Sequence, residues 1–259
     1  MTKTVVITQS NYLPWRGYFD LLRSADEVVL LDSVQYTRRD WRNRNRIKTA
    51  SGLAWLTVPV EVKGRYHQAI NETQVADFGW AESHRRTIDL AYRRAPHHVE
   101  TMAWLDPLLA SVAEQPMLSV INETLLQAIC ARLGLKVIFR RCQDILDAAA
   151  MREMDPTFRL AELASAVGAG RYLSGPAAKA YLDTQVFADR GIEVSWMSYA
   201  GYPEYPQQWG PFEPQVSVID LMFNTGEAAP RFLVRSEPAS AAASVDNPFT
   251  GGGIRTPSA

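Results

Sequence analysis

The sequence predicts an α/β protein: a three-layer domain on a mostly parallel, Rossmann-like sheet, with helical insertions. Two observations predict it. Short β-branched runs alternate with segments of helical periodicity along most of the 259 residues, the pattern of repeated βαβ units. The residues least suited to a core also gather in the loops after the strands, where open parallel sheets bind their ligands.

TVVIT at 4–8 predicts a buried strand. The following loop ends at Pro14, a residue favoured at a helix start. Trp15, Tyr18, Phe19 and Leu22 then recur at helical spacing, so a helix is expected over 15–24. EVVLL at 27–31 is a second strand, ending at Asp32. Residues 33–50 are polar and basic and predict a loop. Strands are expected over 53–60 and 70–75, paired antiparallel. Helices follow over 80–94, 99–112 and 116–133, the last ending at Gly134. A strand at 136–140, a helix at 156–167 and a short strand at 172–173 come next. Ser174-Gly175-Pro176 opens a helix running to 190, before a strand at 193–197. A Pro/aromatic loop at 201–214 leads to a helix at 215–223, stopped by Gly226. The expected organisation is one domain over 1–234. Residues 235–259, rich in Ala, Ser, Gly and Pro, are expected to be a disordered tail.

Composition narrows the function classes. Hydrophobic content is 47%, charged content 21% and net charge −1, so any attraction to nucleic acid or acidic membrane must be local. The two cysteines, Cys130 and Cys142, form neither a disulfide framework nor a metal knuckle. They predict buried thiols in a reducing compartment. The polar MTKTVVITQ start lacks a signal-peptide profile, and no apolar run reaches membrane-spanning length. A cytoplasmic location without membrane insertion is expected.

The candidate site residues fall into five groups. Gln9, Asn11, Tyr12, Trp15 and Tyr18 follow the first strand, and the two amides suit a neutral polar ligand. Asp32, Gln35, Tyr36, Trp41, Arg42, Asn43, Arg44, Asn45 and Arg46 follow the second. Six Lys/Arg lie within residues 38–48, and arginine holds phosphate or carboxylate bidentately. If that segment is extended, Arg42, Arg44 and Arg46 share one face. His84, on a basic helix, is the ready general base at neutral pH. Ser174, Gly175 and Lys179 outline an anion cradle at a helix start. Tyr205 and Gln207, in the Pro/aromatic loop, suit the faces of sugars or nucleosides. No Asp/Glu/His cluster has metal-ligand spacing, and the residues name no cofactor.

Several motifs occur together and in order: Q-x-N-Y-L-P-W-x-G-Y-F-D at 9–20, L-D-x-V-Q-Y-x-x-R-D-W-x-N-R-N-R-I-K at 31–48, and W-L-T-V-P-V at 55–60. Y-L-S-G-P-A-x-K-x-Y-L at 172–182 and Y-P-x-x-x-G-P-F-x-P at 205–214 follow. With these motifs the chain resembles the WbqC-like family of bacterial proteins over about residues 4–230. One departure is Ser10, where the family pattern is expected to carry proline. The resemblance implies a setting in surface-polysaccharide, O-antigen or natural-product biosynthesis, and transfer of an acyl or aminoacyl group to an amino sugar or similar amine. His84 falls within the matching H-x-x-x-I-x-x-x-Y pattern.

The expected function is such a transferase, acting on a small-molecule or carrier-bound substrate with an anionic group. Arg42, Arg44, Arg46 and Lys179 would hold the donor. His84 would deprotonate the acceptor amine, and Gln9 and Asn11 would orient it. One alternative is an ATP-dependent ligase or nucleotidylyl transferase. Trp15-Arg16-Gly17-Tyr18 is similar in layout to the H-x-G-H of such transferases, but aromatics replace both histidines. Another alternative is a module that recognises an RNA end, such as a tRNA acceptor arm, through the basic loop.

Overall fold

Seven strands are described: β1 (Thr4–Thr8), β2 (Glu27–Leu30), β3 (Arg44–Thr49), β4 (Gly52–Thr57), β5 (Ile138–Arg141), β6 (Arg171–Ser174) and β7 (Glu193–Trp196). Five of them form one sheet in the order β5-β2-β1-β6-β7, and every pair in it is parallel. β3 and β4 form a separate antiparallel hairpin. The computed structural model describes residues 2–234, so the expected tail at 235–259 lies outside the described residues.

The helices are α1 (Arg16–Arg23), α2 (Trp80–Tyr92), α3 (His98–Val112), α4 (Leu118–Arg132), α5 (Ala148–Glu153), α6 (Pro156–Ala166), α7 (Thr184–Ala188) and α8 (Val218–Thr225). They cover both faces of the sheet, which gives the three-layer α/β architecture. The central strands show how the sequence encodes this. Successive side chains on a strand point to opposite faces. Val6, Val28 and Leu30 enter one hydrophobic core with α1 to α4 and α8. Val5, Ile7, Val29 and Leu31 enter another with α5 to α7. A strand buried on both faces needs an unbroken apolar run, as TVVIT and EVVLL are.

Strand order reverses between β1 and β6. The chain moves outward from β1 through β2 to β5 on one side, then crosses back to β6 and β7. Right-handed crossovers then demand helices on opposite faces for the two halves, and the two cores show them there. The carboxyl ends of β1, β2 and β5 therefore open together at one end of the sheet.

Four expectations are corrected. Residues 33–50 are not all loop, because β3 occupies Arg44–Thr49. Its polar composition hides alternation: Asn45 and Ile47 turn into the core while Arg44 and Arg46 face outward. The strand expected at 70–75 is a single 3-10 turn, Ile70–Glu72, followed by two isolated antiparallel bridges, Val60 to Val75 and Gln74 to Met117. The helix expected from Pro176 to 190 is a 3-10 segment, Pro176–Ala180, followed by the short α7, which starts anew on its Asp183 cap. α5 was not foreseen; the Asp147 carboxylate accepts from the Ala150 amide and caps it.

Asn45 locks the loop after β1. Its side-chain amide donates to the Leu13 carbonyl at 2.8 Å, and Leu13 sits at φ +42°, a left-handed conformation unfavourable for leucine. Asn45→Ala removes that donor and leaves a buried carbonyl unpaired. The substitution should lower stability by about 1–3 kcal/mol in urea denaturation; a loss under about 0.5 kcal/mol contradicts this role.

Candidate functional site

The loops after β1, β2 and β5 meet at Asp32. Its carboxylate accepts the Ser10 backbone N–H at 2.8 Å, and the side chain is only 3% exposed. Burial pushes its pKa up to about 6, with Glu123 adding to the rise. The Ser10 hydrogen bonds and the Arg42 charge hold it down. A carboxyl so placed changes charge close to neutrality, which suits a general base.

Asp32 lines a cavity of about 140 Å³ with Leu30, Asn71, Ser119, Glu123 and Arg141. That volume takes the reacting end of a substrate, not a whole drug-sized ligand. Arg141 pairs with Glu123 at 2.6 Å on its wall. Ser119 and Val120 also line it, and both lie in the first turn of α4, where amides have no intrahelical acceptor. The Asn71 side-chain oxygen is buried without a partner.

Polar groups brace this end of the sheet. Arg42 donates to the Asn11 side-chain oxygen and lies 3.6 Å from Asp40. Asn122 donates to the Ser10 hydroxyl at 3.1 Å and to the Arg42 carbonyl at 2.8 Å. Gln9 is half-buried, and its carbonyl accepts from the Tyr18 hydroxyl at 2.9 Å. Gln9, Asn11, Tyr18, Asp32 and Arg42 are therefore brought together.

The other expected residues are not. His84 is 5% exposed, and both of its ring nitrogens are occupied. Nε2 faces the Thr57 carbonyl at 3.2 Å, so it carries the proton, and Nδ1 accepts from the Tyr12 hydroxyl at 2.8 Å. Burial lowers its pKa to about 4. This neutral, doubly bonded imidazole ties α2 to the hairpin and to the β1 loop, and neither nitrogen is open to a substrate. Trp15 packs edge-on against Tyr199 at 5.2 Å. Gly17 makes room for that indole, because a Cβ there would meet it at 2.3 Å; the glycine serves tryptophan packing. Gln35 donates to the Tyr66 carbonyl at 2.8 Å. Tyr36 is buried, and its hydroxyl pKa is raised to about 12 by that burial. Asn43 is buried and donates to the Val58 carbonyl at 2.8 Å.

Ser174 and Gly175 lie across β1 from the cavity, at the end of β6. The Ser174 hydroxyl accepts from Tyr172 at 3.3 Å. Lys179 is exposed, with its ammonium over the Trp196 ring at 5.7 Å. The expected anion cradle opens on a five-residue 3-10 segment, without the aligned amides of an α-helix. Tyr205 and Gln207 turn inward. Both donate to the same oxygen of buried Asp220 at 2.8 Å, and Tyr92 donates to the other at 2.9 Å. Arg16 stacks against Tyr202, Tyr205 and Phe212 at 5.0, 5.4 and 5.5 Å. The aromatic loop thus packs back on the domain.

The residues that sequence reasoning missed are Ser10, Asn71, Ser119, Asn122, Glu123 and Arg141. Two signals could have found some of them. Asn122 interrupts the apolar face of α4, and Arg141 ends a third strand of the same sheet.

The WbqC-like protein family matches residues 9–232. The chain belongs to that family. One relative of this WbqC-like chain is an uncharacterized protein, Rv1507c, of Mycobacterium tuberculosis (strain ATCC 25618 / H37Rv). It is 47% identical over 231 residues, covering 89% of this chain and 97% of the relative. No solved structure matches. Among the described residues of this WbqC-like chain, no helix is long and apolar enough to cross a membrane. Both cysteines are buried and free.

Asp32 and His84 make opposing contributions to stability. Folding raises the Asp32 pKa from 3.8 to about 6. Its contribution is present below pH 4 and lost as pH rises through 6. Folding lowers the His84 pKa from 6.5 to about 4. Its contribution is present above pH 6.5 and lost as pH falls through 4. Each is worth roughly 3 kcal/mol, so they nearly cancel in the native protein. Asp32→Asn should make stability rise with pH between 4 and 6.5, and His84→Gln should make it fall. Urea midpoints across that range check this; parallel curves for both variants contradict it.

Proposed function

We propose that this WbqC-like protein is a group-transfer enzyme. It moves an acyl or aminoacyl group onto the amine of a sugar or similar small molecule, in surface-polysaccharide or natural-product biosynthesis. The family resemblance supports the reaction class. The observation that carries the reading is the Asp32 carboxyl, buried on a cavity at the carboxyl end of a parallel sheet, where burial pushes its pKa up to about 6.

In this reading Asp32, not His84, is the base. Near neutral pH it is mostly ionised, yet basic enough to take a proton from an amine under attack. The amine nitrogen bonds to the donor's acyl carbon, and Asp32 accepts the proton that nitrogen sheds. The bond from acyl carbon to leaving group then breaks, and the proton passes to the leaving group. The first-turn amides of α4 suit the oxyanion that develops on the carbonyl oxygen. Arg42 and Arg141 supply positive charge near the donor's anionic part. Gln9 and Asn11 offer amides for the acceptor's hydroxyls.

Acyl-thioester and aminoacyl-tRNA donors paired with amino-sugar acceptors, with N-acylated product read by mass spectrometry, test this. Asp32→Asn should lower turnover by about 10²- to 10⁴-fold, and the wild-type rate should rise with pH through about 6. His84→Gln should retain turnover below its melting temperature. Wild-type rates for Asp32→Asn would overturn the assignment.

A further inference from the structure

The β3/β4 hairpin presents a second surface that the transfer reaction does not use. Its register sets Arg44 opposite Thr57, Arg46 opposite Trp55, and Lys48 opposite Leu53. These six residues share one face. The other face carries Asn45, Ile47 and Leu56, all buried. Lys48 folds inward, its ammonium 3.0 Å from the Gln207 side-chain oxygen. The outer face keeps Arg44, Arg46, Trp55 and Leu53, with Trp55 46% and Leu53 40% exposed.

Cations and rings interleave there. The Arg44 guanidinium lies 4.1 Å from the centre of the Trp55 ring. Arg46 lies 5.6 Å from Trp55 and 5.9 Å from Trp41, and the two indoles are 5.7 Å apart. Most cations elsewhere on the molecule have acids: Arg85 and Arg86 share Glu82, Arg93 pairs with Asp89, and Arg152 pairs with Glu72. Neither Arg44 nor Arg46 meets a carboxylate among the described residues. Their hydrogen-bond acceptors are neutral: the Arg39 carbonyl and the Gln215 side chain, the latter at 2.8 Å from Arg46. The Nε of each is buried without an acceptor. Two uncompensated guanidiniums beside an exposed indole suit a ligand that brings both anions and flat rings.

We propose that this face binds single-stranded nucleic acid, its bases stacking on the indoles and two backbone phosphates meeting Arg44 and Arg46. An open face buries too little of a lone nucleotide to hold it. A strand gains stacking at each successive base and charge at each phosphate. With net charge −1 overall, the attraction is confined to this patch, so the site is short and its salt dependence shallow.

Fluorescence anisotropy with a labelled 12-nucleotide single-stranded RNA, and with DNA of the same sequence, tests this on the full chain. Two phosphates predict a slope of log affinity against log salt of about −1.4, weakened by about 0.7 in Arg44→Ala or Arg46→Ala. Trp55→Ala should weaken binding roughly 5- to 150-fold with the slope unchanged. Asp32→Asn should bind like wild type, which separates this surface from the proposed reaction centre. The three hairpin side chains lie on the outer face, so those variants should keep the native melting temperature within a few degrees. Four results would overturn the proposal: no binding of either strand at low salt, binding unchanged in all three hairpin variants, a duplex bound as tightly as the single strand, or anionic lipid vesicles bound in place of nucleic acid.

Discussion

The hydrogen bond from the Ser10 amide to Asp32 is the interaction on which this end of the molecule depends. It joins the loop after β1 to the loop after β2 and leaves a carboxylate buried with few donors. A carboxylate with several backbone donors would titrate far below neutrality, and one with none would stay protonated. Burial, opposed by the Ser10 amide, the Ser10 hydroxyl and an arginine charge, leaves it near 6. A proline at this position would have no N–H to donate. Serine here supplies the amide and also a hydroxyl for Asn122.

Much of the polarity around this centre is scaffold. Asp220 is buried under Tyr92, Tyr205 and Gln207, and burial raises its pKa while those donors oppose the rise. Arg16 is sandwiched among aromatic rings, and His84 is bonded through both nitrogens. Removing one partner from such a cluster exposes an unpaired buried group, so these residues resist substitution for structural reasons. They hold the Pro/aromatic loop, the hairpin and α2 against the sheet. Other polar groups stay open, among them those of the cavity around Asp32 and of the outer face of the hairpin.

The parallel sheet was legible because a strand buried on both faces must be written as a continuous apolar run, as at 4–8 and 27–31. The placement of the loop after β1 and of Asp32 at the strand ends was legible because each follows directly on such an apolar run. β3 was not, since the asparagine and the isoleucine that face the core alternate with arginines and read as loop. His84 was misjudged for a related reason. A histidine on a helix looks like a base until its partners are known, and Tyr12 and Thr57 are distant in sequence. Tyr205 and Gln207 looked like a ligand platform because their real partner, Asp220, lies beyond the loop. Contacts across the chain decide such roles, and no local pattern encodes them. Family membership supports the fold; the choice of Asp32 over His84 in the proposed transfer comes from burial and hydrogen bonding.

The most direct test of this account is the titration of Asp32 itself, followed through its side-chain carboxyl carbon by NMR in the folded protein. A midpoint near 6 that is absent from Asp32→Asn is the expected result. A midpoint at the ordinary value of 3.8 would mean that the carboxylate is well solvated, and would remove the base on which the proposed transfer rests.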